Sequence, residues 1–303
     1  MSTKKRTSQP AADTGRGRAG RPKSIFASAD EAAPQTPEST ERESSPREST
    51  EPESSPREST EPDSIVPAEV PAGTAAIAAT ELTRRYGDAV ALEPVTLHIP
   101  VGQRVALVGH NGSGKTTLIR MITGTLDPTG GTAFVGGHAV GSMEGRAALS
   151  YLADQPVFYD DLSLIEHIEY VARLHGRRDW TGHGNELMER LGISHRCDDL
   201  PVTFSRGLKQ KAAICLAFIR PFEVLIVDEP FVGLDTPGRN ELLTLFAEAH
   251  DNGRTLLVAT HELHTVAASD RLLALANGTL IHDGSPDVDV AGLVEGTAPT
   301  GRG

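Results

Sequence analysis

The stretch VALVGHNGSGKTTLIRM, residues 105–121, decides how this chain is read. A continuous apolar run gives way to three glycines within six positions, then to a lysine, two threonines and an apolar pattern of helical period. Gly109, Gly114, Lys115 and Thr116 satisfy the pattern Gly-x-x-x-x-Gly-Lys-Ser/Thr in the setting that gives it meaning, after a strand and before a helix. Glycines let the backbone N–H groups of His110, Asn111, Gly112, Ser113 and Gly114 turn inward around phosphate oxygens, and the helix that follows adds its positive end. Lys115 is then expected to reach the β and γ phosphates of a nucleoside triphosphate. The Thr116 hydroxyl is expected to ligate Mg²⁺, with Thr117 beside it in the first turn. At average residue frequencies such a pattern arises by chance in roughly 1% of chains this long, before the strand and helix context is added.

A second stretch, VLIVDEP at residues 224–230, narrows the chemistry. A buried strand ending in Asp228 and Glu229 sets two carboxylates just beyond the carboxyl end of a strand, where α/β sheets bind ligands. Asp228 is suited to hold Mg²⁺ through water, and Glu229 to polarise an attacking water.

Bulk properties limit the alternatives. The 303 residues are 38% hydrophobic but only 4% aromatic, so the core is built from Val, Leu, Ile and Ala. The formal net charge of -12 argues against a general nucleic-acid-binding surface, and no nucleic-acid partner is expected. Cys197 and Cys215 form no Cys-x-x-Cys pair, which disfavours a disulfide framework or structural zinc and suits a reducing cytosol. HRC at residues 195–197 lacks metal-ligand spacing and reads as a loop or helix end. No apolar run reaches the eighteen or so residues that span a bilayer, so a membrane role is expected to go through a partner.

Composition changes sharply along the chain. ESTERESSPR at residues 38–47 recurs as ESTEPESSPR at 48–57, a ten-residue repeat with nothing to bury. Before Asp30 the chain carries seven Lys or Arg against one acid, and from Asp30 to Asp63 eleven acids against three Arg. Residues 1–74 are therefore expected to be a disordered tail, a solvated spacer that could also tether a partner or carry phosphates. From residue 75 the pattern becomes globular: IAATELTRRY, PVTLHI, QRVALVG, FEVLIVDEP and RTLLVATH read as strands separated by helical patterns. Strand and helix alternating in this way predict a sheet with parallel strands covered by helices on both faces. Residues 285–303 are expected to form a flexible C-terminal tail.

Over residues 75–284 the chain resembles the ATP-binding-cassette ATPases. Besides the phosphate loop and paired acids, Tyr86 in RRYGDAVAL sits where that family stacks an aromatic ring on adenine. FSRGLKQKAAICLA matches the family signature, with Ser205 and Gly207 at its Ser and second Gly; GLD at 233–235 matches the dimer-contact loop, and His261 in LLVATHE the switch histidine. The resemblance implies an α/β fold: a P-loop NTPase core on a mostly parallel sheet, with an antiparallel β subdomain and a helical signature subdomain. It also implies an ATPase in which Glu229, His261 and Lys115 serve hydrolysis, with ATP and Mg²⁺ as cofactors. In the family the signature reaches the γ-phosphate of ATP held by a second subunit, so two copies, or this chain and a paired subunit, sandwich two ATP molecules head to tail. A separate multi-span membrane permease is the implied partner, and the cytoplasmic face of the membrane the implied location.

Departures from the family pattern mark where this reading is open. Phe204, Arg206 and Leu208 stand where the common signature has Leu, Gly and Gln. In YLADQPVFYDDLSLIEHI, Asp154 takes the position of a metal-reaching glutamine and Gln155 follows it, so either can serve that role. Downstream, Leu164, Ile168, Val171 and His175 fall near one helical face, expected to pack in the helical subdomain. The same segment looks more like the ATPase subunits of exporters than of importers. Two function classes follow: an energising subunit of a transporter, or a soluble ATPase that drives a macromolecular assembly. One cassette, without coiled-coil or zinc insertions, favours the first; a degenerate nucleotide sensor is opposed by intact Lys115, Asp228, Glu229 and His261.

Overall fold

The structure, a computed structural model, describes residues 75–290 and Gly292. The expected N-terminal tail, with its repeats, and residues 291 and 293–303 of the expected C-terminal tail lie outside the described residues.

Two sheets organise the chain. Strands β1 (Ala75–Tyr86), β2 (Ala89–Pro100), β4 (Gly130–Val135) and β5 (His138–Ala139) form an antiparallel sheet in the order β2-β1-β4-β5. The second sheet has the order β10-β9-β3-β8-β7-β6, from β3 (Arg104–Val108), β6 (Leu149–Leu152), β7 (Val224–Asp228), β8 (Thr255–Ala259), β9 (Arg271–Ala276) and β10 (Thr279–Gly284). Every pairing in it is parallel except β9 with β10. The first two strands of the chain therefore leave the main sheet and build their own.

Why the central strands read as unbroken apolar runs is clear from their packing. Successive strand side chains point to opposite faces. Leu225 and Val227 of β7, with Leu256 and Val258 of β8, enter one core. The alternate residues Val224, Ile226, Leu257 and Ala259 enter the other, against β1, β2 and helix α1 (Lys115–Ile122). A strand covered on both faces has no place for a polar residue until its end. In β7 that end is Asp228.

The remaining helices are α2 (Met143–Ala148), α3 (Leu164–Leu174), α4 (Trp180–Arg190), α5 (Arg206–Ile219), α6 (Thr236–Asp251) and α7 (Leu263–Ala267). Helices α3, α4 and α5 pack on one another through Leu164, Ile168, Leu187, Ala212 and Cys215, all fully buried. The face predicted for α3 is rotated by about one residue toward its C-terminal end. Leu164 and Ile168 are buried as expected, but Val171 and His175 are only half-buried, and His167 and Ala172 take the inner positions.

His167, 2% exposed, is held as a neutral ring. Its Nδ1 lies 2.8 Å from the Ser163 carbonyl oxygen and so donates, while Nε2 accepts from the Tyr159 N–H at 2.9 Å. Burial pushes its pKa below the usual histidine value, and burial with the nearby Arg220 pushes His175 down to about 4. Both rings bind a proton more readily unfolded than folded. Stability is therefore complete above the unfolded value near 6.5 and declines as pH falls through it, at up to about 1.4 kcal/mol per pH unit for each histidine kept neutral. Denaturant titrations at pH 7.5 and 5.5 should show this loss. His167→Gln should flatten the slope, and an unchanged slope would refute the assignment.

Candidate active site

Four neighbouring strands of the main sheet, β3, β8, β7 and β6, end on the same side, and each carries a polar group past its carboxyl end. These are the 109–114 loop after β3, His261 after β8, Asp228 and Glu229 at the end of β7, and Asp154 after β6. All of these except Gly109 and His261 border a cleft of about 650 Å³; those two stand just behind its wall, against Lys115 and Glu229 respectively. His110, Asn111, Gly112, Ser113, Gly114, Lys115, Thr116 and Thr117 line it, as do Asp154, Gln155, Asp228 and Glu229.

The phosphate-loop backbone is shaped by tertiary contact as well as by its own glycines. Gly109 has φ +154°, and a Cβ there would stand 2.3 Å from the Leu275 carbonyl oxygen. Gly114 begins α1 in the left-handed region, and no side chain caps the helix, so its first N–H groups remain available to an anion. The β9–β10 turn braces the loop from behind: the Gly278 N–H donates to the Ser113 carbonyl at 2.9 Å. Asn277 and Gly278 also line the cleft, with φ +49° and +77°, the backbone of a two-residue hairpin turn.

Charge is crowded here. Lys115, 6% exposed, donates from Nζ to the Gly109 carbonyl at 2.6 Å and stands 3.9 Å from Glu229 Oε1. Burial lowers its pKa, and the carboxylates of Glu229 and Asp228 only partly oppose the shift. The Thr116 hydroxyl donates to Asp228 Oδ2 at 3.0 Å, while the other carboxylate oxygen, Oδ1, is buried without a partner. Burial raises the Asp228 pKa against the Thr116 hydrogen bond. Glu229 is pushed up to about 7, first by burial, with Lys115 opposing and Asp228 and Asp154 adding to it. His261 Nε2 comes within 2.9 Å of Glu229 Oε1 but off the line of a hydrogen bond, so that oxygen too is left without a donor. Burial and Lys115 together hold the His261 ring below its usual pKa. Glu229 also has φ +45°, a left-handed conformation that costs a non-glycine residue energy and that the 2.9 Å bond from its N–H to the Ala259 carbonyl maintains.

These residues fit Mg²⁺. Its protein ligands are few, one or two oxygens supplemented by phosphate, and the orphaned Asp228 Oδ1 beside the Thr116 hydroxyl is such a set. Among the described residues no group of three or more His, Cys, Asp or Glu forms a preformed cage.

Three expected site residues stand elsewhere. Tyr86 does not line the cleft; it is 53% exposed with the Arg84 guanidinium 4.4 Å over its ring. Ser205 and Gly207 also lie outside the chain's own cleft, at the start of α5. Ser205 is the N-cap of α5, accepting from the Leu208 N–H. Gly207 is tight for a reason that no local spacing reveals: a Cβ there would meet the Gly233 carbonyl oxygen at 2.4 Å. Further along α5, Gln210 donates to the Pro230 carbonyl at 3.1 Å, and Lys211 Nζ lies 2.9 and 3.0 Å from the two Asp235 oxygens. The signature helix is thus fastened to the loop that follows Glu229. Sequence reasoning missed Asn277 and Gly278, although an Asn-Gly pair between LLALA and TLI is itself a strong hairpin signal.

With this geometry in view, the comparisons with known proteins agree. Residues 92–232 match the family model described as ABC transporter. The ABC-type transporter ATP-binding protein EcsA of Bacillus subtilis (strain 168) is 36% identical over 203 residues, 65% of this chain and 82% of that protein. The chain belongs to the ABC transporter family. It is an ATP-binding subunit of that family and an ATPase. The SkfA peptide export ATP-binding protein SkfE of the same organism is 31% identical, covering 67% of this chain and 86% of that protein. A solved ATP-binding subunit of an ABC transporter aligns at 32% identity with a TM-score of 0.66, over 69% of this chain and 89% of the other. Among the described residues no helix of this ABC ATPase is long and apolar enough to cross a membrane.

Proposed function

We propose that two copies of this chain, or this chain and a paired subunit, close head to tail on two ATP molecules and drive a separate multi-span permease in the direction of export. The chain would then work on the cytoplasmic face of the membrane through that permease. One observation supports the pairing above the others. Ser205 and Gly207, at the start of the fourteen-residue helix α5, stand outside the cleft that holds the phosphate loop of the same chain. Within one copy, therefore, the signature has no phosphate to bind. The export direction is supported by the segment at residues 158–176 and by the likeness to SkfE, a protein named for peptide export.

The chemistry follows from the cleft. On binding, Lys115 exchanges the Gly109 carbonyl for phosphate oxygens, and the free N–H groups at the start of α1 meet the same anion. Thr116 and Asp228, with Asp154 at the margin, would hold Mg²⁺, which supplies charge neutralisation to the phosphates. Glu229, raised to about 7, is a base matched to neutral pH and takes the proton of the attacking water. His261, at contact distance from that carboxylate, positions it. ATP binds the closed pair better than ADP does, and this difference is what moves the partner.

Sedimentation velocity with turnover blocked by Glu229→Gln tests the pairing. A species of twice the mass in saturating ATP and of single mass in ADP is expected. Single mass in ATP, with the permease also supplied, would overturn the proposal. Affinity purification from membranes should recover a multi-span protein.

A further inference from the structure

Two of the positions at which this chain departs from the family pattern are joined in space. Arg206 Nη2 lies 3.4 Å from Asp154 Oδ1, across 52 residues of sequence. Asp154 lines the triphosphate cleft after β6, and Arg206 is the first residue of α5, between Ser205 and Gly207. A second cavity of about 360 Å³ opens between them, with Lys209 and Phe204 in its wall. The pair is open to water, with side-chain exposures of 63% for Arg206 and 36% for Asp154. Such a pair shifts an equilibrium by at most about five-fold. A guanidinium facing several phosphate oxygens can form parallel, charge-assisted bonds, a stronger interaction than one exposed carboxylate offers.

We propose that Asp154 and Arg206 form a latch between the cleft and the signature of one chain, opened when Arg206 leaves Asp154 for the triphosphate held by a second copy. The inference rests on the head-to-tail reading above and adds a group to it. Without nucleotide on a facing copy, the carboxylate keeps the arginine folded toward its own cleft. In the closed pair the same arginine stands beside Ser205 at the start of α5, adding a full positive charge to a signature that elsewhere has glycine at this position. Asp154 thus opposes closure and Arg206 favours it.

Opposite signs make the latch testable. In the Glu229→Gln background, the dimer dissociation constant is measured by sedimentation at saturating ATP, with ATP affinity determined separately at concentrations where the chain is single. Asp154→Asn should tighten the dimer about two- to five-fold. Arg206→Gln should loosen it by about ten-fold or more, the loss of a charge-assisted hydrogen bond. The double variant should match Arg206→Gln alone, since release of an absent arginine gains nothing. A pair with a merely structural role would shift both single variants the same way, and that result sinks the latch. A parent that stays single in ATP instead sinks the head-to-tail reading and the latch with it.

Discussion

Glu229→Gln should leave ATP binding intact and lower phosphate release by at least the ~10²-fold that loss of one aligned catalytic base produces. The amide keeps the shape of the side chain and its place past β7 but cannot take a proton. The fold should not suffer, because the carboxylate is already an unwelcome charge: burial, Asp228 and Asp154 together push its pKa to about 7, against Lys115. A neutral group relieves that crowding. ATP affinity should therefore be equal to or tighter than that of the parent, and the proposed nucleotide-bound pair should persist, since the phosphate that would join it is not split. Turnover equal to the parent in a steady-state phosphate assay would remove Glu229 from the role of base. Equal loss of turnover and of ATP affinity would make it a binding residue.

How much of this site was legible in the sequence depends on the range of the interaction behind each residue. The phosphate loop, Asp228 and Glu229 are legible because strand ends and glycine turns impose chemistry on adjacent positions, whereas His261 is legible only through the resemblance of LLVATHE to the family pattern. Strand β6 is only four residues long and precedes a polar loop, and β4 opens with two glycines and pairs with β1 across the chain. Neither presents a periodic pattern of its own. His167 was hidden for the opposite reason: a histidine on a helix reads as solvated until both its ring nitrogens are seen to be bonded. The resemblance implies a phosphate-facing role for Gly207, but its approach to the Gly233 carbonyl belongs to tertiary structure. The same holds for Asp154 and Arg206, whose departures from the family pattern look independent in sequence and are one contact in space.

The contacts of α5 tie this chemistry to motion. Gly207 against Gly233, Gln210 on the Pro230 carbonyl and Lys211 on Asp235 fasten the signature helix to the segment that leaves the cleft through Glu229. These contacts connect Glu229 to the surface that, in the proposed pair, would face a second copy. Since Asp235 is also the N-cap of α6, accepting from the Gly238 N–H at 3.0 Å, the loop is fixed at both ends.

Lys115→Ala should weaken ATP binding by about 10- to 100-fold, the loss of one or two hydrogen bonds from a charged donor, while weakening the nucleotide-free fold only slightly. In the empty cleft the ammonium is buried enough for desolvation to lower its pKa, even with Glu229 and Asp228 nearby, so its charge is not a source of stability there. What it contributes without nucleotide is the bond to the Gly109 carbonyl, worth roughly 1 kcal/mol. For a domain of this size that is a shift of about 2–4 °C in thermal midpoint. Once a triphosphate is present the balance reverses, because the anion replaces a neutral carbonyl as its partner. Losing Lys115 also removes the group that opposes the upward shift of Glu229, so the remaining carboxylate holds its proton more firmly and residual turnover falls further than binding does. Calorimetric titration with ATP, beside thermal melts without it, separates the two effects. Parental affinity would rule out phosphate contact by Lys115, and a collapse of the nucleotide-free midpoint would make the residue structural.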